Sequence, residues 1–574
     1  MQTGIYLLKG VSMQASFQSR MSVVLTFFAA SLGSALAQQD AGQILRQIEP
    51  SSQPTSRPPA ELIDQRLVPR KEISDVPDLK VDVTAFRLIG APEEERTAIM
   101  ALLASAIGPN KSFQDILDAA SLVRSHLNAR GYLLAQVYIP EQKLQDGVVE
   151  IVILLGMLGK VELNYDPATP VSKARIQAQL DRLQTGVVLR TAELERVLFL
   201  LNDLHGVRAR STIRPGSTPG TADLIVDVTP DPTVGGLFQL DAMGSRYTGL
   251  YRAMGGLNIG SPLGIGDSLS FRGIYGEDSG INFGSVSYVA PVGTDGWRLG
   301  GSYSNLNYKL LTKAGIPPGT GAASDGLVFA LYPLVRSRNV NVFVQAGFDH
   351  KEFTDVPDAG AVVKRRSDSA LVTVSGDLRD TFLGGGINSF SLGYTHGSLD
   401  NPTAQIGTPT GLYRRINPYY SRLQSLGQTG LLAFFRYSGQ LTPDRLDSSE
   451  KFSLGGPSGV RAFPVGEAPA DRAHLVSVEL RHTLPNWDGR IPGSLVGAMF
   501  WDWGRARLDR DPSAGNSTAD RNTRVLSAVG LALNWATAQS WSAQASLAWR
   551  TQGELVSDKL DHRPRLYAQI TRYF

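Results

Sequence analysis

The sequence predicts an all-β transmembrane barrel of about 16 antiparallel strands, preceded by two small α+β modules. Three observations carry this reading. A secretory leader opens the chain; a strand and helix pattern occurs twice between residues 79 and 230; and from Gly235 to Phe574 the helical period gives way to apolar residues at every second position.

The leader is read over residues 1–37. Arg20 followed by MSVVLTFFAASLGSALA gives a basic flank, an apolar run from Met21 to about Ser31 and a small-residue ending at Ala37. Gln38 is the expected mature start, with Met13 and Met21 as alternative initiators. The apolar run is shorter than the ~20 residues that span a bilayer, so a transmembrane anchor is the weaker reading, and no later segment reaches that length.

Composition narrows the function. Cysteine is absent, which leaves no disulfide and no cysteine metal site. The net charge is +3 on 574 residues with no basic block, so no nucleic-acid partner is expected. The seven histidines are scattered and read as structural or surface residues; no metal and no cofactor is expected. No Walker A, H-E-x-x-H or G-x-S-x-G motif occurs, so the chain is not expected to be an enzyme. With 59 glycines and 42% hydrophobic residues, membrane integration points to a closed barrel, whose outward-only apolar residues halve the apparent hydrophobicity.

Residues 38–60 combine a short helix, with Ile44, Leu45 and Ile48 on one face, and a stiff tether containing Pro54, Pro58 and Pro59. A detachable plug helix is expected there, with a disordered tail as the alternative.

The first module, 79–156, begins with VDVTAFRLIG and a helix with Ile99, Leu102, Leu103 and Ala106 on its face, ended by Gly108-Pro109. Ser112 and Asp115 form a capping box for a second helix facing inward through Ile116, Ala120, Val123 and Leu127. GYLLAQVYIP and GVVEIVILLG then read as strands. The second module, 157–230, repeats the plan, with helices from about Val171 and from Thr191 and strands at VRARSTI and ADLIVDV.

The barrel region, 235–574, shows faces such as Leu269, Phe271 and Tyr275, or Trp297, Leu299 and Tyr303, opposite polar or tiny residues. A soluble sandwich would alternate in the same way. The leader and the aromatic C-terminus at Phe574, which continues a face of Leu566, Ala568 and Ile570, favour the membrane. The length accommodates roughly 14–18 strands.

Several stretches resemble the TpsB transporters of two-partner secretion, the ShlB/FhaC/HecB-type hemolysin secretion/activation proteins of the Omp85 superfamily. GYLLAQVYIPEQKLQDGVVEIVILLG is similar to the family's first POTRA domain, with its Gly-Tyr and Pro-x-Gln, and LNDLHGVRARSTIRPG with GTADLIVDV to the second. DAMGSRYTGLYRAMGGLNIGSPLGIGDSLSF is like the first barrel hairpin. LDSSEKFSLGGPSGVRAFPVGEAPAD resembles the long sixth loop, and FWDWG, Phe500 to Gly504, its F-x-D-x-G strand. The likeness runs over essentially the whole mature chain.

The resemblance implies an outer-membrane polypeptide translocator of a Gram-negative bacterium, with its POTRA domains in the periplasm. They would recognise an unfolded, secreted TpsA-like exoprotein, exported, and in some members activated, without ATP. Outer-membrane lipid and the barrel-assembly machinery would be its other partners. The resemblance further implies that the loop around 455–471 folds into the lumen, where Arg461 meets Asp502. Val460, Phe463, Phe500 and Gly504 complete the two motifs. The family's commonest loop form is V-R-G-Y; Ala462 here implies an ordinary φ, and Phe463 lacks a hydroxyl. Arg572 also departs from the family, which usually has an apolar or aromatic residue there. Two other functions stay open, an Omp85-type barrel-assembly insertase and a solute porin. The first usually carries three or more POTRA modules, and the second needs none.

Overall fold

A computed structural model describes residues 40–48, 62–64, 80–218, 220–312, 317–358, 360–402, 408–485, 492–511, 522–537, 540–555 and 563–574. The leader, 1–37, and the Pro-rich tether lie outside the described residues. The chain divides into two compact units, one of them residues 59–231 with three further residues, the other the barrel together with the N-terminal helix α1 (Ala41–Ile48).

The smaller unit holds two modules. The first contains β2 (Lys80–Val83), β3 (Ala85–Ile89), α2 (Glu93–Leu103), β4 (Gly108–Ser112), α3 (Phe113–Ala129), β5 (Gln136–Tyr138) and β6 (Val148–Leu154). It follows the short strand β1 (Leu62–Asp64). The Ser112 hydroxyl accepts from Asp115 N at 3.2 Å and the Asp115 carboxylate accepts from Ser112 N at 2.8 Å, so the α3 N-terminus has its reciprocal cap. Two local readings differ. The run from Val81 to Ile89 breaks at Thr84, whose N–H donates to Gly147 O at 2.9 Å and whose hydroxyl donates to Asp146 O at 2.6 Å. β2 therefore pairs with β4, and β3 with β6. Gly108-Pro109 both follows the last turn of the helix and starts β4.

The Pro-x-Gln signal acquires a physical meaning here. The Gln142 side chain accepts from Glu150 N at 2.7 Å and donates to Glu150 O at 3.0 Å, standing in for a paired strand where β5 has ended.

The second module is β7 (Met157–Tyr165), α4 (Lys173–Leu180), α5 (Thr191–Asn202), β8 (Val207–Pro215) and β9 (Thr221–Pro230). Its sheet runs β1-β8-β9-β7, and its core includes Leu158, Ile176, Leu194, Leu198, Leu201, Leu224 and Val226. β1 lies parallel to β8, pairing Leu62 with Ser211 and Asp64 with Ile213, so a short strand that follows the tether in sequence covers one sheet edge.

Gly131 and Tyr132 sit where the two modules meet. Gly131 has φ +88°, a turn that favours glycine. The buried Tyr132 donates to Glu94 Oε1 at 2.6 Å, and the Arg190 guanidinium lies 3.8 Å over its ring. Thr191 N donates to Gly131 O at 2.9 Å.

The other unit is a closed barrel of 16 antiparallel strands, from Val234–Asp241 to Arg565–Tyr573. These two strands close it through a register from Leu237↔Tyr573 to Asp241↔Gln569, extended by reciprocal Gly236–Phe574 backbone bonds of 2.9 and 3.1 Å. Closure removes every unpaired edge, which a membrane-spanning sheet requires. Side chains alternate as a lipid-facing sheet demands: Phe271, Tyr275, Trp297, Leu299, Tyr303, Leu566, Ile570 and Phe574 are exposed on the outside. Arg572 is also outside, its guanidinium 5.1 Å from the Trp541 ring.

Candidate functional site

The lumen carries two apolar patches, where an open aqueous pore would present polar walls throughout. One is lined by Met254, Ile274, Phe283, Leu306, Tyr308 and Phe353, and α1 is packed on it. Ile44, Leu45 and Ile48 are all buried there, at 0%, 1% and 0% exposure. On the helix's other side Gly42 faces Ser449 so closely that an added Cβ would stand 2.5 Å from the serine Cβ.

The ends of α1 are held by polar contacts. Asp40 caps Gln43 N at 2.9 Å, pairs with Arg365 at 3.1 Å and accepts from the Ser448 hydroxyl. Ala41 N donates to Asp355 Oδ1 at 2.8 Å. Arg365 also binds Asp355 and Asp447, each at 2.8 Å, so three carboxylates converge on one guanidinium. At the other end, Arg272 Nη1 donates to Ile48 O at 2.9 Å, satisfying a terminal helix carbonyl.

The second patch receives the loop between the strands Leu431–Gln440 and Arg472–Thr483. Leu454, Val460, Ala462 and Phe463 pack against Ala473, Leu475, Phe500, Leu526 and Ala528 of the wall. Small wall residues leave the room. A Cβ on Gly504 would lie 2.8 Å from Leu454 Cδ2, and one on Gly530 would lie 2.3 Å from the Phe500 ring. The loop's left-handed positions fall at Gly456, Gly466 and Ala468, and Ala462 is not among them. Alanine in place of the family's glycine therefore fits the backbone.

Arg461 and Asp502 are brought together. The guanidinium donates through Nε and Nη2 to the two carboxylate oxygens, each at 2.8 Å, and Arg461 N adds a third bond of 3.1 Å. Asp502 is 0% exposed and Arg461 6%. The guanidinium also lies 3.4 Å from the centre of the Phe500 ring. This geometry matches the planar fork to a carboxylate and its face to an aromatic.

Four further residues belong to the lock that sequence reasoning did not single out. Glu479 pairs with Arg461 Nη1 at 2.8 Å and with Arg481 at 2.8 Å. Ser477 donates to Asp502 Oδ1 at 2.9 Å, and Tyr567 on the last strand donates to Phe463 O at 2.7 Å. Inward parity on the strands next to F-x-D-x-G was the available signal for Ser477 and Glu479; Tyr567, about a hundred residues away, had none.

A polypeptide-conducting outer-membrane barrel of the Omp85 type, with two POTRA modules, is the class that this fold and lumen define. The family model for haemolysin secretion/activation proteins ShlB/FhaC/HecB matches residues 220–534, and that for the ShlB-type POTRA domain matches residues 81–156. The chain belongs to the ShlB/FhaC/HecB family, the TpsB transporters of two-partner secretion. It is 26% identical to the heme/hemopexin transporter protein HuxB of Haemophilus influenzae over 92% of this chain and 94% of that relative. The outer membrane transporter CdiB of Escherichia coli O6:K15:H31 is 23% identical over 68% of this chain and 66% of its own length. Among solved structures, CdiB from Escherichia coli superposes with a TM-score of 0.67 at 18% identity, covering 88% of this chain and 92% of that one. CdiB from Acinetobacter baumannii gives 0.60 at 17%, covering both chains fully. The protein is an outer-membrane transporter with periplasmic POTRA domains, and the barrel-assembly and porin readings are not favoured.

Proposed function

We propose that the chain exports a single secreted exoprotein as an unfolded polypeptide through the barrel, with α1 and the 455–471 loop as two independent closures of the lumen. The observation that carries this is the pair of apolar luminal patches, each covered by a segment of the chain itself. An unfolded client exposes apolar side chains and unpaired backbone groups. A lumen of mixed apolar and charged walls offers both kinds of contact without holding any one sequence.

Recognition belongs to the POTRA modules, where a client segment adds to a sheet edge through backbone hydrogen bonds. The edge at β8 is covered by β1, so a client binding there has to displace that strand, which the tether connects to α1. Transport in this reading needs no catalytic step; folding of the client outside prevents its return. Outer-membrane lipid and the barrel-assembly machinery are the further partners, the latter reading the strand that ends at Phe574. The names of the relatives, a heme/hemopexin transporter and outer membrane transporters of other bacteria, do not fix this client.

The test is deletion of residues 38–60, followed by planar-bilayer conductance and secretion of the exoprotein. Conductance should rise; unchanged conductance would remove the plug from the mechanism.

A further inference from the structure

Outside the lumen, the strands Arg472–Thr483 and Ser494–Arg507 place two arginines opposite one another at their extracellular ends, with a third, Arg505, facing a histidine. Arg472 pairs in register with Arg507, and His474 with Arg505. All four lie on the outward face, and with Asn522 and Thr523 they line a pocket of about 380 Å³. No described carboxylate lies within 4.0 Å of any of the three guanidiniums. Arg472 Nε donates to Thr442 O at 2.6 Å and Arg507 Nη2 to Arg510 O at 3.2 Å, which leaves their charge uncompensated. Opposed like charges destabilise a strand pair, whereas Arg252, Arg365, Arg414 and Arg461 elsewhere in this barrel each stand against a carboxylate. The arrangement calls for an anion from outside the chain.

The surface beneath the pocket says which kind. One step further toward the periplasm the same outward face becomes Val476 beside Trp503, then Val478 beside Trp501. A cationic pocket directly above an aromatic and aliphatic strip is the profile of an amphiphile, with its anionic head above and its chains below. We propose that this pocket binds the phosphate-bearing headgroup of a lipid in the outer leaflet, with the lipid's acyl chains along Trp501 and Trp503. Guanidinium forks take phosphate oxygens two at a time, and two exposed arginines side by side suit a phosphomonoester. The assignment rests on the outer-membrane placement established above, and it is independent of the client.

The experiment uses the full chain in detergent, titrated with diphosphoryl lipid A, with the same lipid stripped of its phosphates, and with inorganic phosphate, and read by native mass spectrometry. Wild type should hold one diphosphoryl lipid A, and the R505Q/R507Q variant should bind it about tenfold or more weakly. The R505K/R507K variant, which keeps the charge and loses the fork, should fall between. Heat-modifiable gel mobility reports that each barrel is folded, and secretion should stay at the wild-type level because neither arginine touches the lumen. Equal binding by wild type and R505Q/R507Q overturns the proposal, as does equal affinity for the dephosphorylated lipid. Full competition by millimolar inorganic phosphate would show an ion site and overturn the lipid assignment.

Discussion

At the level of single residues, Arg461 is the proposed anchor that keeps the loop inside. Its guanidinium and the Asp502 carboxylate are both withdrawn from water, so removing one strands the other, at a cost of about 3–5 kcal/mol against about 0–1 for an exposed pair. Arg461→Ala should therefore abolish or strongly impair secretion while the barrel still inserts, because no strand depends on the loop for its backbone bonds. Asp502→Ala should do less, since Glu479 remains as an acceptor 2.8 Å from the same guanidinium. A double-mutant cycle on Arg461 and Asp502, scored by secretion and by proteinase access to residues 455–471, should show coupling; strict additivity would make the contact incidental. Tyr567→Phe removes the only hydroxyl that the structure places on Phe463 O among the described residues, and because Gly456 N still donates to that carbonyl it should loosen the loop by only about 0.5–1.5 kcal/mol, read as earlier proteolysis.

The next level is the segment. α1 is too short to be stable alone, so its helicity depends on the luminal patch and on the contacts of Asp40 and Ile48. Leu45→Asp would bury a carboxylate among Ile274, Phe283 and Phe353, and should raise single-channel conductance as far as deletion of the helix does. In the POTRA pair, hydrogen bonds from Tyr132 and His126 are the main reason that the Glu94 and Glu95 carboxyls are held below their usual range. A lowered folded-state pKa adds stability above the free glutamate value of about 4.3, and this is lost as pH falls through the lowered value. Residues 79–230 carry two cores of their own, so a fragment should fold, and its melting temperature should drop on acidification below about pH 4. Tyr132→Phe should flatten that drop; an unchanged pH profile would refute the role of the hydrogen bond.

Segments also show where the sequence was readable. Period-two faces such as Trp297, Leu299 and Tyr303 announced the lipid side because the bilayer imposes it directly on each strand. The Ser112 cap was readable because it is local. The break at Thr84 was not, since it depends on Asp146 and Gly147, sixty residues on, and neither was β1, which exists only by pairing with β8. In the site, Arg461 and Asp502 came from motif resemblance; Glu479 was readable only as an inward-facing position, and Tyr567 required the closed barrel that sets it beside the loop.

For the whole molecule, the proposed function makes the chain a conduit that it closes with parts of itself. A fragment spanning 79–230 should bind the N-terminal segment of its exoprotein more tightly than unrelated unfolded chains, and equal affinity would leave only generic strand addition. The route itself is tested most directly with a photo-crosslinking amino acid placed at single positions while the client is stalled in transit. Crosslinks to the client are expected from luminal Ile274, Phe353 and Leu475, and none from Met499, which is 64% exposed on the lipid face. Crosslinks confined to Phe238 and Ile570, on the outer face of the two closing strands, with a silent lumen, would contradict transport through the barrel.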